Sequence, residues 1–130
     1  MDIRRSIEDL ERVISELIEE NKRVPIIVEG GKDVVALRRL GVVGKIIVIN
    51  KGVNLTVFSD NIARMYRAVI ILTDWDRKGG FLCHTIRKNL EGRVSCNIYF
   101  REFFAKNSMA KTIESLPSWI KTVKEKNNIL

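Results

Sequence analysis

The chain has 130 residues, 45% of them hydrophobic and 30% charged, with a formal net charge of +7. That length supports one domain with its own core and no disulfide staples, and the two cysteines, Cys83 and Cys96, stand in no metal-ligand spacing. Apolar runs fall far short of the roughly 20 residues of a membrane span and no hydrophobic leader opens the chain, so a soluble cytoplasmic protein is expected, with a polyanionic partner favoured by the basic balance.

Asp2 is placed to cap a helix over 2–21, where Ile3, Ile7, Leu10, Ile14 and Leu17 recur every three or four residues against a face of Glu and Arg. Lys22-Arg23-Val24-Pro25 ends it. Ile26 to Glu29 reads as a short apolar strand, Gly30-Gly31 as a turn, and Asp33 to Leu40 as a helix with Gly41 just past its end. Ile46 to Ile49, inside Lys45 to Asn50, reads as a second buried strand. Residues 52–58 suit either a loop or a helix start. Ser59 or Asp60 is then expected to cap a helix reaching Arg67, with Ile62 and either Met65 or Tyr66 inward. Val69 to Thr73 reads as the third strand and Phe81 to Leu90 as a helix. Val94 to Phe100, with Cys96, Ile98 and Phe100 alternating, is the fourth strand candidate. The tail over about 108–127 is helical in character, and Pro117 is expected to split it into two short helices.

Strands alternating with helices predict an α/β fold: about four central parallel strands, helices on both faces and right-handed crossovers. Sites in such sheets form at the carboxyl ends of strands. Glu29, Asn50 and Asp74 each end a strand and are expected along one edge of the sheet.

Thr73-Asp74-Trp75-Asp76-Arg77-Lys78-Gly79-Gly80 carries the chemistry. Alternate side chains of an extended segment share a face, so Asp74 and Asp76 suit one cavity while Trp75 turns away to wedge the loop against the core. Hard carboxylate oxygens suit Mg²⁺, with Mn²⁺ as a substitute. The plainer reading of an isolated Asp-x-Asp is that Asp76 caps the next helix and Asp74 is a solvated acid. The strand context and a matching acid at Glu29 favour function. Gly30 and Gly31 let backbone approach a ligand closely at a helix start, with Lys32 beside them to neutralise phosphate. Arg77, Lys78 and Gly79 repeat that pattern of cations, glycine and helix. Asp33 reads more readily as a helix-start residue than as a ligand. His84 is a candidate proton shuttle, against the packing or surface role a lone histidine more often has.

Glu29-Gly30 with Asp33, followed about 45 residues later by Asp74-x-Asp76 and then Gly79 or Gly80, resembles the Toprim domain. That domain is shared by type IA and II topoisomerases, bacterial primases, old-family nucleases, recombination-repair proteins and ribosomal-RNA maturation nucleases. The resemblance covers about 24–100 and implies a compact Rossmann-like Toprim fold. It implies Mg²⁺ at Asp74 and Asp76, with Glu29 as general acid/base or further metal ligand in phosphodiester chemistry. The chain looks most like the small stand-alone prokaryotic Toprim proteins and next like the maturation nucleases, whose additional C-terminal region it lacks, which leaves substrate recognition to a possible protein partner.

Two main readings follow. One is a Mg²⁺-dependent nuclease-like enzyme on RNA or DNA with water as nucleophile. The other is a non-catalytic nucleic-acid-binding module, or a subunit of a larger complex, using the same acidic site. A nucleotide-binding or phosphatase-like protein is a third, since doubly wound folds host many phosphate chemistries.

Overall fold

A computed structural model describes residues 2–129. The first helix, α1 (Ile3–Asn21), begins where the Asp2 carboxylate accepts hydrogen bonds from the Arg4 and Arg5 N–H groups, at 3.0 and 3.4 Å. Ile7, Leu10, Val13, Ile14 and Leu17 form its buried stripe. Four short strands follow, β1 (Ile26–Val28), β2 (Ile46–Val48), β3 (Ala68–Ile71) and β4 (Ser95–Asn97). They form one all-parallel sheet in the order β2-β1-β3-β4. β1 and β3 are central, and their near-continuous burial is what a sheet covered on both faces requires. Ile46 to Val48 are only half-buried because β2 lies at the sheet edge, a correction to the second buried strand read from the sequence.

Successive residues of the central strands face opposite layers. Ile26, Val28, Ile70 and Leu72 pack with α1, with α2 (Gly31–Arg39), and with two late helices, α5 (Tyr99–Asn107) and α6 (Leu116–Lys126). Ile27, Val69 and Ile71 pack with α3 (Leu55–Met65) and α4 (Arg77–Leu90). The chain steps one way from β1 to β2 and the other way to β3 and β4. The connecting helices change face at that reversal, as a single crossover hand demands.

Four expected boundaries are corrected. α3 starts at Leu55, capped by Asn54, whose Oδ1 accepts from the Thr56 and Val57 N–H groups; Ser59 and Asp60, the two expected caps, both lie inside the helix, and buried Ser59 accepts from Asn89 Nδ2. α4 starts at Arg77, a full turn before Phe81, because Asp76 caps it. The fourth strand stops at Asn97, whose side chain accepts from the Tyr99 N–H and turns the chain into α5; Phe100 belongs to that helix, which the sequence reading missed. Residues 108–115 form turns, and Pro117 sits in the first turn of α6, where its missing N–H is no loss, so it divides nothing.

Asn21 joins the end of α1 to the strands. Its Nδ2 donates to the carbonyls of Val24 and Lys45 at 3.1 and 2.9 Å, and its Oδ1 accepts from the Gly44 N–H at 2.8 Å. The residue is 2% exposed. Asn21→Leu removes all three bonds and leaves the Val24 carbonyl and the Gly44 N–H without these partners, while the Lys45 carbonyl still accepts from the Ile26 N–H. The expected cost is about 2 kcal/mol or more, at roughly 1–3 for each of the two groups left unpaired, measured by urea unfolding.

Candidate functional site

The order β2-β1-β3-β4 places the reversal of direction between β1 and β3, and a crevice opens beyond their carboxyl ends. A cleft of about 530 Å³ lies there, lined by acids (Glu29, Asp33, Asp74, Glu114), by Lys32, Lys51 and Lys78, by Gly30 and Gly31, and by Asn50. The expected gathering of Glu29, Asn50 and Asp74 along one edge of the sheet is thus observed.

Asp74 is held by three partners remote in sequence. Its N–H donates to Glu29 Oε2 at 2.8 Å, tying the loop after β3 to the end of β1. Its carbonyl accepts from Arg101 Nη2 at 2.8 Å, while Arg101 Nε donates to the Thr73 carbonyl at 3.1 Å. Its Oδ1 accepts from the Ile113 N–H at 2.9 Å. Trp75 packs into the layer of α1, α5 and α6, donating its indole N–H to the Ala110 carbonyl at 2.9 Å and tilting against Phe104. Gly79 brings α4 against this loop, and Thr73 Oγ1 donates to its carbonyl at 2.8 Å.

Burial pushes the Glu29 carboxyl above its ordinary range; the Asp74 and Asp76 carboxylates push the same way, while the bond from the Asp74 N–H and the charge of Lys78 oppose. Burial likewise raises Asp74, with Asp76 and Glu114 adding and the Ile113 N–H and Arg101 opposing. Asp33 is raised by burial and by Asp74 and Glu114. Its Oδ2 accepts from the Gly30 N–H at 3.1 Å, the helix-start role expected of it.

Asp76 is exposed, caps α4 through a 2.7 Å bond from the Gly79 N–H to its Oδ1, and lies outside the cleft lining. The plainer reading of Asp76 as a cap therefore holds, and its second oxygen remains available beside the cleft, where its charge reaches Glu29 and Asp74. Gly30, Gly31, Lys32 and Lys78 line the cleft; Arg77, Gly79 and His84 do not. Gly79 is buried, and Arg77 and His84 lie on the solvent face of α4. Sequence reasoning missed Arg101, Ile113 and Glu114. Arg101 was hidden by the absence of any signal for α5. Ile113 and Glu114 act from a turn segment whose return to the sheet depends on packing of α6.

Among the described residues, no group of three or more His, Cys, Asp or Glu is arranged to hold a metal ion alone. The donor chemistry suits Mg²⁺ in another way, because that ion commonly takes one or two carboxylates, keeps waters and completes its shell with substrate phosphate. Glu29, Asp74 and Asp76 each commit one oxygen to a backbone N–H and keep the second. A β-carbon added at Gly30 or Gly31 would meet nothing within 4 Å. Neither glycine has a positive φ, so the local fold does not demand either one, and the room beside them is open to a ligand.

Residues 24–106 match the Toprim domain family. A UPF0292 protein of Thermoplasma volcanium is 45% identical over 100 residues, covering 76% of this chain and 84% of that one. A UPF0292 protein of Methanocaldococcus jannaschii is 38% identical over 116 residues, covering 87% and 91%. The chain is a Toprim domain protein of the UPF0292 family. The Toprim resemblance carried by Glu29-Gly30 and Asp74-x-Asp76 is thereby shown. It places the chain among domains associated with divalent metal and with nucleic acid. A protein from Aquifex aeolicus shares the fold, with a TM-score of 0.62 at 24% identity over 72% of this chain and 85% of that one. The Toprim match ends before Ile113 and Glu114, so one wall of the cleft comes from outside the matched segment. No helix among the described residues is long and apolar enough to cross a membrane.

Proposed function

We propose that the cleft is a Mg²⁺-dependent phosphodiester site acting on RNA or DNA, nuclease-like, with water as nucleophile. The observation that carries the reading is the 2.8 Å bond from the Asp74 N–H to Glu29. It fixes two carboxylates at the reversal point of a Toprim sheet, each keeping an oxygen to offer. Asp74 and Asp76 are the proposed metal holders, with Glu29 as a further ligand or as the proton-transfer group. Bound there, Mg²⁺ would neutralise charge developing on the phosphate.

The chain's own residues do the remaining work. Glu29, with its pKa raised, holds or releases a proton closer to neutral pH than a free carboxyl does. Lys32 and Lys78 supply charge to a phosphate in the cleft, and Gly30 and Gly31 leave room for its oxygens at the start of α2. Arg101 acts through the Thr73 and Asp74 carbonyls, fixing the loop that aims Asp74.

The test is an end-labelled cleavage assay on structured RNA, single-stranded DNA and duplex DNA with Mg²⁺, Mn²⁺ or EDTA. Metal-dependent cleavage of one polymer class is expected. Binding of polymer without cleavage under any metal would overturn the enzyme reading in favour of a non-catalytic module or a subunit awaiting a partner.

A further inference from the structure

α4 runs away from the cleft, and its two sides differ sharply. Gly79, Cys83, Ile86 and Leu90 form its buried line. Opposite them, Arg77, Phe81, His84 and Lys88 fall at i, i+4, i+7 and i+11, one stripe of a 3.6-residue helix, and all four are exposed. Phe81 is 64% exposed. Arg87, beside the stripe, joins His84 and Lys88 in a shallow hollow whose single acid is Glu91 at the helix end. Among the described residues most Lys and Arg enter no salt bridge, Arg77, Lys78, Arg87 and Lys88 among them, and α4 itself contains no acid.

A single exposed ring is ordinary on a surface, but Phe81 stands in line with cations on a helix that carries no acid. Nucleic-acid strands use both features: phosphates meet the cations, and an unstacked base lies on the ring. Base faces are hidden inside a duplex, so the ring selects a single strand. Lys78 lines the cleft at the start of the same helix, and about 15 Å of helix separates it from Lys88 at roughly 1.5 Å per residue. Arg77, the first residue of the stripe, is the chain neighbour of cleft-lining Lys78, so the stripe begins beside the cleft.

We infer that the solvent face of α4 is a single-strand track. Phosphates lie on Arg77, Arg87 and Lys88, a base stacks on Phe81 with His84 beside it, and the track leads the strand into the acidic cleft. This rests on the cleft being a nucleic-acid site, as proposed above. RNA and DNA single strands present the same phosphate and base chemistry, so the track accepts either in principle.

The test is fluorescence anisotropy of labelled single-stranded RNA, single-stranded DNA and duplex DNA of roughly 12 nucleotides, a typical single-strand site size, in EDTA over a salt series. Phe81→Ser, Arg77→Gln/Lys88→Gln and a charge-matched control on α1, Arg4→Gln/Arg5→Gln, change only exposed side chains. The wild type is expected to prefer single strands over the duplex. Phe81→Ser should weaken single-strand binding about tenfold with little change in salt slope. Arg77→Gln/Lys88→Gln should lower the slope by about 1.4, at roughly 0.7 per phosphate lost, and the control should change neither quantity. Undiminished binding by Phe81→Ser, an equal loss in the α1 control, or tighter duplex binding would overturn the track while leaving the cleft reading standing. Failure of the wild type to bind any polymer in EDTA would overturn the track, and failure in Mg²⁺ as well would overturn both.

Discussion

Asp74→Asn is expected to make the metal-free protein more stable at neutral pH and to remove metal-dependent turnover. The substitution preserves the local frame. An asparagine Oδ1 still accepts from the Ile113 N–H, and the bonds from Arg101 and to Glu29 involve backbone atoms only. What changes is a half-buried negative charge beside Asp76 and Glu114, whose cost appears as the raised pKa of Asp74. A group with a folded-state pKa above its unfolded value favours folding most when protonated. That contribution is complete below the ordinary carboxyl value of about 3.9 and is lost as pH rises through the raised folded value. At neutral pH wild-type Asp74 is ionised at a penalty that asparagine avoids. The melting temperature of the variant in EDTA should therefore exceed that of the wild type at neutral pH, and the gap should close as pH falls through the carboxyl range. Mg²⁺ should raise the wild-type melting temperature at neutral pH and leave the variant nearly unmoved. Cleavage should fall about a hundredfold or more, several kcal/mol of transition-state stabilisation. A variant less stable than the wild type in EDTA would mean that Asp74 serves the fold rather than a ligand.

Gly79→Ala is expected to give the opposite result, a large loss of stability. A β-carbon at Gly79 would stand 1.8 Å from the Asp74 carbonyl oxygen and 2.5 Å from its carbon. Both are backbone atoms on a loop fixed by Glu29, Arg101 and Ile113, so relief requires moving the start of α4 or breaking the clamp. The expected cost is about 3 kcal/mol or more, at the upper end of overpacking penalties, and a fall in melting temperature on the order of 10 °C. Gly31→Ala is the control. A β-carbon there meets nothing within 4 Å, and the residue opens α2, so its melting temperature should hold or rise slightly. Thermal melts of the two variants check the contrast. An unchanged melt for Gly79→Ala would contradict the close approach of helix and loop.

The parts of this arrangement legible in the sequence are those with a local signature. The buried stripe of α1 and the apolar runs of β1 and β3 declare themselves by periodicity, and Glu29 and Asp74 follow as the acids that end two central strands. α3 starts ahead of Ser59 and Asp60 because Asn54 caps it, and α4 starts at Arg77 because Asp76 takes the capping role that is its plainer reading. For α4 the apparent Gly79-Gly80 loop is helical, since Gly79 serves close packing rather than a turn. α5 was missed because Cys96, Ile98 and Phe100 mimic strand alternation for three steps, while Phe100 and Phe104 at i and i+4 bury as a helix pair. Arg101 and Ile113 could not be assigned roles from sequence: Arg101 donates to the backbone carbonyls of Thr73 and Asp74, and Ile113 reaches the Asp74 carboxylate through its own backbone N–H, so neither contact has a side-chain signature at both ends.

In the proposed site Asp74 and Asp76 hold a divalent ion beside the cleft, with Glu29 as a further ligand or the proton-transfer group. Mn²⁺ binding, followed through the electron paramagnetic resonance signal of the free ion, tests this most directly in the wild type and in a Glu29→Gln/Asp74→Asn variant. The wild type is expected to deplete the free signal, Mg²⁺ to restore it by competition, and the folded variant to leave it unchanged. No depletion by the wild type, or equal depletion by the variant, would contradict the proposed site.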